Sequence, residues 1–264
     1  MKKTRVISWF SCGAASALTS KLALDKYGNN PDYDFQIIYC RVRQEHPDNL
    51  KFLKAFEKKY NVKIKILENK KHKGNIYDVF LKRKFLINDK GAPCTKVLKK
   101  DLRKEYQRHD DIQLLGYTVE EEEVRLNRFI DGNPEVILDT ILIDRGITKK
   151  DCMSWLMSEG FELPTMYKLG YHNNNCIGCV KGGMGYWNAI REDFPDRFEA
   201  MAKMERLLGH SINREVIGKT EEGKNIYGKV FLDELAPNRG NFKRDQPADC
   251  GFTCEWKERN GETP

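Results

Sequence analysis

No apolar run in the 264 residues is long enough to span a bilayer, so nothing in the chain asks for a membrane. No segment recurs at a fixed period, which excludes solenoid and propeller arrays. No low-complexity stretch divides the chain into tethered halves. Charged residues make up 32% and hydrophobic residues 40%, an ordinary soluble balance, and this length can bury a full core.

What is present in excess is positive charge and sulfur. The net charge is +7, carried in clusters such as "KVLKKDLRK" and "ENKKHK". Such a surplus suits an anionic ligand and admits nucleic acid, although most of these lysines fit solvated helix faces. The eight cysteines are Cys12, Cys40, Cys94, Cys152, Cys176, Cys179, Cys250 and Cys254. In a small secreted chain they would suggest disulfides. In one this long, with alternating strands and helices, reduced thiols with some metal ligation fit better. The segment Val6–Ser20, "VISWFSCGAASALTS", has no charge and follows "MKKTR". Read as a secretion signal, its apolar core would be broken by Ser8, Ser11, Gly13, Ser16, Thr19 and Ser20. The expectation is therefore a cytoplasmic protein whose first strand runs into a loop. The sequence leaves the oligomeric state open, a homodimer being one plausible form.

Periodicity organises the first half. "RVISWF", "DFQIIYC", "VKIKIL", "IQLLGYT" and part of "EVILDTILI" read as strands. Between them "SALTSKLALDKYG", "PDNLKFLKAFEKKYN", "NIYDVFLKRK", "CTKVLKKDLRKEYQ" and "VEEEEVRLNRFI" have helical spacing. The alternation predicts an α/β fold, a Rossmann-like, mostly parallel five-stranded sheet with helices on both faces. Later, "TKKDCMSWLMSEG" reads as a helix with a capping box from Thr148 to Asp151. "GYWNAIREDFPDRFEAMAKMERLLG" reads as helical, and the polar tail turns at "EEGKN" and "APNRGN". One domain over residues 1–183, with a helical and irregular extension over 184–264 packed on it, is the simplest organisation.

Three places can carry chemistry. Ser11, Cys12, Gly13, Ala14, Ala15 and Ser16 lie where the first strand meets the first helix. There, small residues and hydroxyls suit a phosphate, or simply a tight turn. Cys176 and Cys179 have C-x-x-C spacing, which suits one metal or cluster, a redox dithiol or two packed thiols. Cys94, Cys250 and Cys254 could complete a ligand set; Cys12, Cys40 and Cys152 sit in strand or helix patterns and read as packed thiols. After Gly116, Glu121 could position a ligand or metal, and Arg125, one turn on, could meet a phosphate or sulfate; a plain helix start explains the acids equally. His46 and His172 read as surface or loop histidines.

Taken in order, these elements resemble the phosphoadenosine phosphosulfate (PAPS) reductase family of the PP-loop, adenine-nucleotide α-hydrolase-like superfamily. "SCGAAS" stands for the family loop S-G-G-x-D-S, and "EHPDNLKFLKAFEKKY" for the stretch after the second strand. "PCTKVLKK" matches a cysteine before a basic helix. Gly116, Glu121 and Arg125 match G-x-x-x-x-E-x-x-x-R. Trp155, Leu163, Pro164, Tyr167, Gly170, Cys176 and Cys179 match the closing motif. The likeness covers roughly residues 4–183 and is nearest to compact phage and bacterial members.

The resemblance implies an adenine nucleotide (ATP, PAPS or APS), its phosphate at Ser11–Ser16. It implies a [4Fe–4S] cluster on Cys94, Cys176 and Cys179, with Cys250, Cys254 or a substrate sulfide in the fourth place. Cys250 and Gly251 match part of the family's mobile tail, whose cysteine attacks a sulfonyl sulfur, so Cys250 is ligand, nucleophile or plain thiol. Ala15 replaces the acid that binds Mg2+ in ATP-cleaving members, and Cys12 replaces a glycine. The expected activities are sulfonucleotide reduction with a thiol reductant, or sulfur transfer to a nucleic-acid substrate from a sulfur donor protein. The alternative is a nucleotide-binding or sensing module with a structural metal.

Overall fold

β1 (Thr4–Phe10), β2 (Tyr33–Cys40), β3 (Ile64–Leu67), β4 (Ile112–Leu114) and β5 (Ile137–Leu138) form one wholly parallel sheet. The computed structural model describes residues 3–88, 91–248 and 250. The strand order is β3-β2-β1-β4-β5, the α/β architecture that the alternating pattern predicts. Around the sheet run α1 (Ala14–Tyr27), α2 (Asp48–Tyr60), α3 (Ile76–Arg83), α4 (Pro93–Thr95) and α5 (Asp101–Tyr106). They are followed by α6 (Asn127–Asp131), α7 (Lys149–Ser158), α8 (Thr165–Lys168), α9 (Met184–Asp193) and α10 (Pro195–Leu208). No helix among the described residues is long and apolar enough to cross a membrane.

β1 is the central strand, and its side chains alternate between two cores. Val6 and Phe10 pack with Ala17, Phe52, Leu53, Phe56 and Leu156, under α1, α2 and α7. Ile7 and Trp9 face the other way, with Ile38, Leu115, Tyr117, Leu126 and Phe129. Burial on both sides is why "RVISWF" reads as an almost unbroken apolar run. A third core gathers Phe80 and Leu98 with Ile177, Tyr186, Trp187, Ile190, Met201 and Leu232, so the later helices pack against α3 and the segment after it.

The order of the strands decides where a ligand can go. From β1 the chain winds out through β2 and β3, then returns to place β4 on the other side of β1. A crevice opens at the carboxyl ends of β1 and β4, where the winding reverses.

Several elements depart from the sequence pattern. The helix expected over 94–107 is α4 and α5 joined by a π-helical turn, Lys96–Lys100. The helix expected over 119–130 is a 3-10 turn, Val119–Glu121, then a π turn, Glu122–Leu126, then α6. Pro195 divides the long late helix into α9 and α10, because it has no N–H to continue the ladder. The polar tail contains an antiparallel hairpin, β6 (Asn213–Lys219) and β7 (Asn225–Val230), around the expected turn at "EEGKN".

Glu205 ties α10 to this hairpin. Its buried carboxylate accepts from Ile212 N at 2.5 Å and from Leu232 N at 2.6 Å. Burial pushes its pKa up from 4.5 to about 7, although both N–H groups favour the ionised form. The folded state thus keeps a proton that the unfolded chain releases, and this part of the stability falls as pH rises from 4.5 to about 7. The loss is at most on the order of 3 kcal/mol. Glu205→Gln cannot ionise, so its melting temperature should change less than the wild type's between about pH 5 and about pH 8. Equal slopes in thermal melts would refute the assignment.

Candidate functional site

β1 ends at Phe10, and the chain turns through Ser11, Cys12 and Gly13 into α1. Cys12 takes the left-handed conformation (φ 58°), which costs a side chain with a Cβ roughly 1–2 kcal/mol. Its thiol is buried and lies 3.5 Å from the Asn49 carbonyl. Ser16 closes the loop: its Oγ accepts from Ser11 N and Ser11 Oγ at 3.0 Å and donates to Gly13 O at 3.0 Å. Ala14 N donates to Tyr167 Oη at 3.2 Å. The end of β4 presses on this turn through Gly116, where a Cβ would lie 2.8 Å from Ser16 N. Only glycine allows that approach.

Two cavities meet at Ser11 and Ser16. One is mainly apolar, with walls of Trp9, Phe10, Leu115 and Tyr117; Cys40, Lys99 and Cys250 also line it. The other is polar and is lined by Gly13, Ala14, Ala15, Glu121, Lys149 and His172, among others. It lies at the N-terminus of α1, where first-turn N–H groups and the helix dipole favour an anion. Glu121 is held between cations. It pairs with Arg125 Nη1 and, at 3.0 Å, with Lys149 Nζ, and its other oxygen accepts from Thr118 N and Oγ1 at 3.3 Å. Arg125 is buried with its guanidinium 5.6 Å from the Tyr117 ring centre, and it is not among the residues lining either cavity. Lys149, half exposed, is the basic side chain lining the polar cavity.

The thiols gather on the other side of the loop, around a buried ion pair. Lys99 Nζ lies 3.1 Å from Glu45 Oε1 and donates to the Cys250 carbonyl at 3.3 Å. Glu45 Oε2 accepts from Tyr39 Oη at 2.5 Å and Asn49 Nδ2 at 3.1 Å. Burial alone would lower the Lys99 pKa, but Cys250, Glu45 and Cys176 raise it well above its ordinary value, so Lys99 is a fixed cation. Cys176 is buried near Glu45, Cys250, Lys99 and Cys179. The C-x-x-C segment turns at Gly178 (φ 72°), and Cys179 N donates to Tyr186 Oη at 2.9 Å. Cys94 is half-buried against the same core. Burial pushes Cys40 and Cys152 up to about 12, which suits packed thiols, although both reach a cavity wall.

Cys250 is brought to this place by the run Asn173–Asn175. Asn175 Oδ1 accepts from Cys250 N at 2.8 Å, and its Nδ2 donates to Ala248 O at 3.0 Å. Asn173 Nδ2 donates to Pro247 O at 3.1 Å, and Lys181 Nζ to Ala248 O at 3.0 Å. Asn174, between them, donates instead to Cys12 O at 2.8 Å and Asn49 Oδ1 at 2.7 Å. Gly251 and Cys254 lie outside the described residues. His46 pairs with Asp48 at 2.6 Å, away from the named cavity walls, whereas His172 is an exposed loop residue beside the polar cavity.

Among the described residues, no three His, Cys, Asp or Glu side chains are placed to hold a metal ion. The donor chemistry, buried thiols beside a buried cation, is compatible with a cluster. Soft thiolates suit iron–sulfur sites, and a four-iron cluster takes its ligands at separate corners. The buried Lys99 ammonium would offset the negative charge of such a group. Residues that the sequence reading missed are Lys99, Glu45, Lys149, Trp9 and the three asparagines. Lys99 and Lys149 stand in lysine pairs that look solvated; π-helical winding turns one inward, and chain reversal at the start of α7 brings the other to the loop.

The family described as "Phosphoadenosine phosphosulfate reductase domain" matches residues 5–136, ending before Cys176. No curated protein matches the chain. U34-tRNA thiolase NcsA from Methanococcus maripaludis, solved with its [4Fe-4S] cluster, is 18% identical with a TM-score of 0.45, over 80% of this chain and 74% of that one. A predicted subunit of tRNA methyltransferase from Methanocaldococcus jannaschii is 14% identical with a TM-score of 0.35, over 58% of this chain and 74% of that one. At these scores neither likeness speaks to activity.

Removing the two hydrogen bonds of Asn175 should loosen the tail. In Asn175→Ala, iodoacetamide should label Cys250 about tenfold faster than in the wild type, as loss of 1–2 kcal/mol implies. Peptide mapping isolates Cys250 from the other thiols, and an unchanged rate would refute the tether.

Proposed function

The chain belongs to the phosphoadenosine phosphosulfate reductase domain family, and on that premise we propose that it is a sulfur-transfer enzyme acting through an adenine nucleotide. The observation that carries this reading is a shared wall: Cys250 lines the same cavity as Ser11, Ser16 and Trp9. The adenine fits the apolar cavity between Trp9 and Leu115, where an aromatic face and aliphatic contact replace water. The phosphates fall on Ser11, Ser16, Lys149 and the N-terminus of α1.

In the transfer reaction an acceptor oxygen attacks the α-phosphorus of ATP and pyrophosphate leaves. A sulfur nucleophile then displaces AMP from the activated acceptor. Lys149 and the helix N-terminus meet the charge of the departing pyrophosphate. Ala15 supplies no carboxylate for Mg2+, so any such ion would be held chiefly by the phosphates. Cys94, Cys176 and Cys179 would hold an iron–sulfur cluster, which when bound would supply one iron open to sulfide, with the Cys250 thiol beside it. Lys99 keeps Cys250 seated and balances negative charge in the thiol pocket.

Sulfonucleotide reduction is a second reading, favoured by the place of Cys250 on the cavity wall. Its thiolate would attack the sulfonyl sulfur of PAPS or APS. The S–O bond breaks, the nucleotide leaves with the electron pair, and a thiol reductant then resolves the thiosulfonate on Cys250 to sulfite and a disulfide.

Anaerobically purified protein should contain iron, absorb in the visible, and lose both in Cys176→Ala. ATP should quench Trp9 fluorescence, and Lys149→Ala should weaken its binding about tenfold, the effect of one charge-assisted phosphate contact. With ATP, sulfide and total RNA as the acceptor, AMP release supports transfer; with PAPS and a thiol, sulfite release supports reduction. Colourless, iron-free protein that releases neither product would overturn the enzyme reading and leave a nucleotide-binding module.

A further inference from the structure

The positive charge of the chain is not spread evenly. Between Lys63 and Lys84 stand eight Lys or Arg residues and two acids, a surplus of six within a whole-chain net charge of +7. All eight cations are exposed, and none of them forms an ion pair among the described residues. Some surface lysines elsewhere do find carboxylates, as Lys21 does with Asp25 and Lys203 with Glu199. In this segment Glu68 faces Arg43, from outside it, at 3.6 Å, and Asp78 accepts from Asn75. Lys82 stands against Lys71 with Arg83 close by, and these neighbours lower its pKa. Like charges crowded on a surface raise the free energy of the unbound protein and are relieved by an anion.

The crowding is built by the backbone. Residues 68–75 follow β3 on the carboxyl edge of the sheet, the edge that carries the Ser11 loop. Asn69 shapes the loop: its Oδ1 accepts from His72 N at 2.9 Å, its carbonyl from Gly74 N at 3.3 Å, and its Nδ2 donates to Val97 O at 3.2 Å. Lys70, Lys71 and Lys73 are thus held outward on a fixed turn. Beside them a groove is floored by Ile66, Leu67, Leu102 and the Tyr106 ring, with Lys70 and Lys71 at its rim. Glu68 and Glu105 also line it, so phosphates are disfavoured on the floor and favoured on the rim. Lys65 lies 4.6 Å from the Tyr106 ring centre. The loop is tied to the thiol site by one residue. Gln44 pairs with Asn75 Oδ1 at 2.9 Å and Ile76 N at 3.0 Å, while its carbonyl accepts from Ile177 N at 2.9 Å, next to Cys176.

We propose that this face docks a single-stranded polynucleotide, with its phosphates on Lys70, Lys71, Lys73, Lys82 and Arg83 and its bases in the groove against Tyr106 and Ile66. A row of cations beside an aromatic and aliphatic floor is the chemistry that holds single strands without regard to sequence. An aromatic and aliphatic floor offers contact to the flat faces of unstacked bases, which a duplex keeps inside its stack. That this strand is also the sulfur acceptor rests on the transfer reading above; the docking itself does not.

The test uses the full chain and a fluorescein-labelled oligouridine followed by anisotropy. The double variant Lys71→Gln/Lys82→Gln should bind about tenfold more weakly, and its slope of log K against log salt should be shallower by roughly 1.4, two single-strand phosphate contacts. Lys224→Gln, in the hairpin turn, should bind as the wild type does. The double variant should still show ATP quenching of Trp9, which reports that it is folded. Equal affinity of variant and wild type, or duplex DNA competing better than the single strand, would overturn the proposal. Strand binding as expected by a protein that releases neither AMP nor sulfite sustains this face and sinks the catalytic reading. Catalysis with strand binding indifferent to the variant does the reverse.

Discussion

Moving an ammonium and a carboxylate out of water costs several kcal/mol per ion, and only close geometry with further hydrogen bonds offsets it. The Lys99–Glu45 pair meets that demand with Tyr39 and Asn49 on the carboxylate and the Cys250 carbonyl on the ammonium. These partners come from β2, the loop after it, α2, the π turn and the tail. A pair so enclosed is sensitive to the loss of any one partner, since the group left behind would be a buried, uncompensated charge. It therefore holds five separate pieces of chain in register, and the thiols of Cys176 and Cys250 lie where that register puts them.

The cavity above depends on a different constraint, the close approach of two backbones. Gly116 lets the end of β4 touch the first turn of α1, and the crevice where the sheet reverses its winding is narrowed to a slot between Trp9 and Leu115. An apolar slot and a helix N-terminus sharing two serines make a natural seat for a ligand with a flat ring at one end and anionic oxygens at the other. Cys250 already forms part of the wall of that slot.

Much of this was open to reading from the sequence where a residue type has one strong use. The strands of the parallel sheet follow from apolar runs, and the Ser11–Ser16 turn and the C-x-x-C pair stood out by residue type and spacing, although packing alone could also have placed them so. What escaped was whatever depends on winding. Lys99 sits in a π turn, where one extra residue rotates the following side chains, and no local propensity announces that; Arg125, singled out from the sequence as a phosphate or sulfate contact, sits in another, and only its orientation escaped. Both were within helical patterns, yet Lys99 is buried in the thiol pocket and Arg125 is turned to Glu121 and Tyr117. The β6–β7 hairpin escaped for a related reason: a bulge at Val216 to Gly218 breaks the alternation that would have revealed it. Cys12 is legible only in hindsight, as a side chain tolerated at a left-handed position because its thiol is buried beneath the loop.

The three asparagines before the C-x-x-C pair divide their attention. Asn174 holds the carbonyl of Cys12, inside the Ser11–Ser16 turn, while Asn173 and Asn175 hold the tail that carries Cys250. Neighbouring residues on one backbone cannot move independently, so the turn and the tail share a coordinate. Any coupling between a ligand at the turn and the seating of the tail would be reciprocal, each changing the other's equilibrium by the same factor. The run Asn173–Asn175 is thus a short strap with one end in the Ser11–Ser16 turn and the other on the tail.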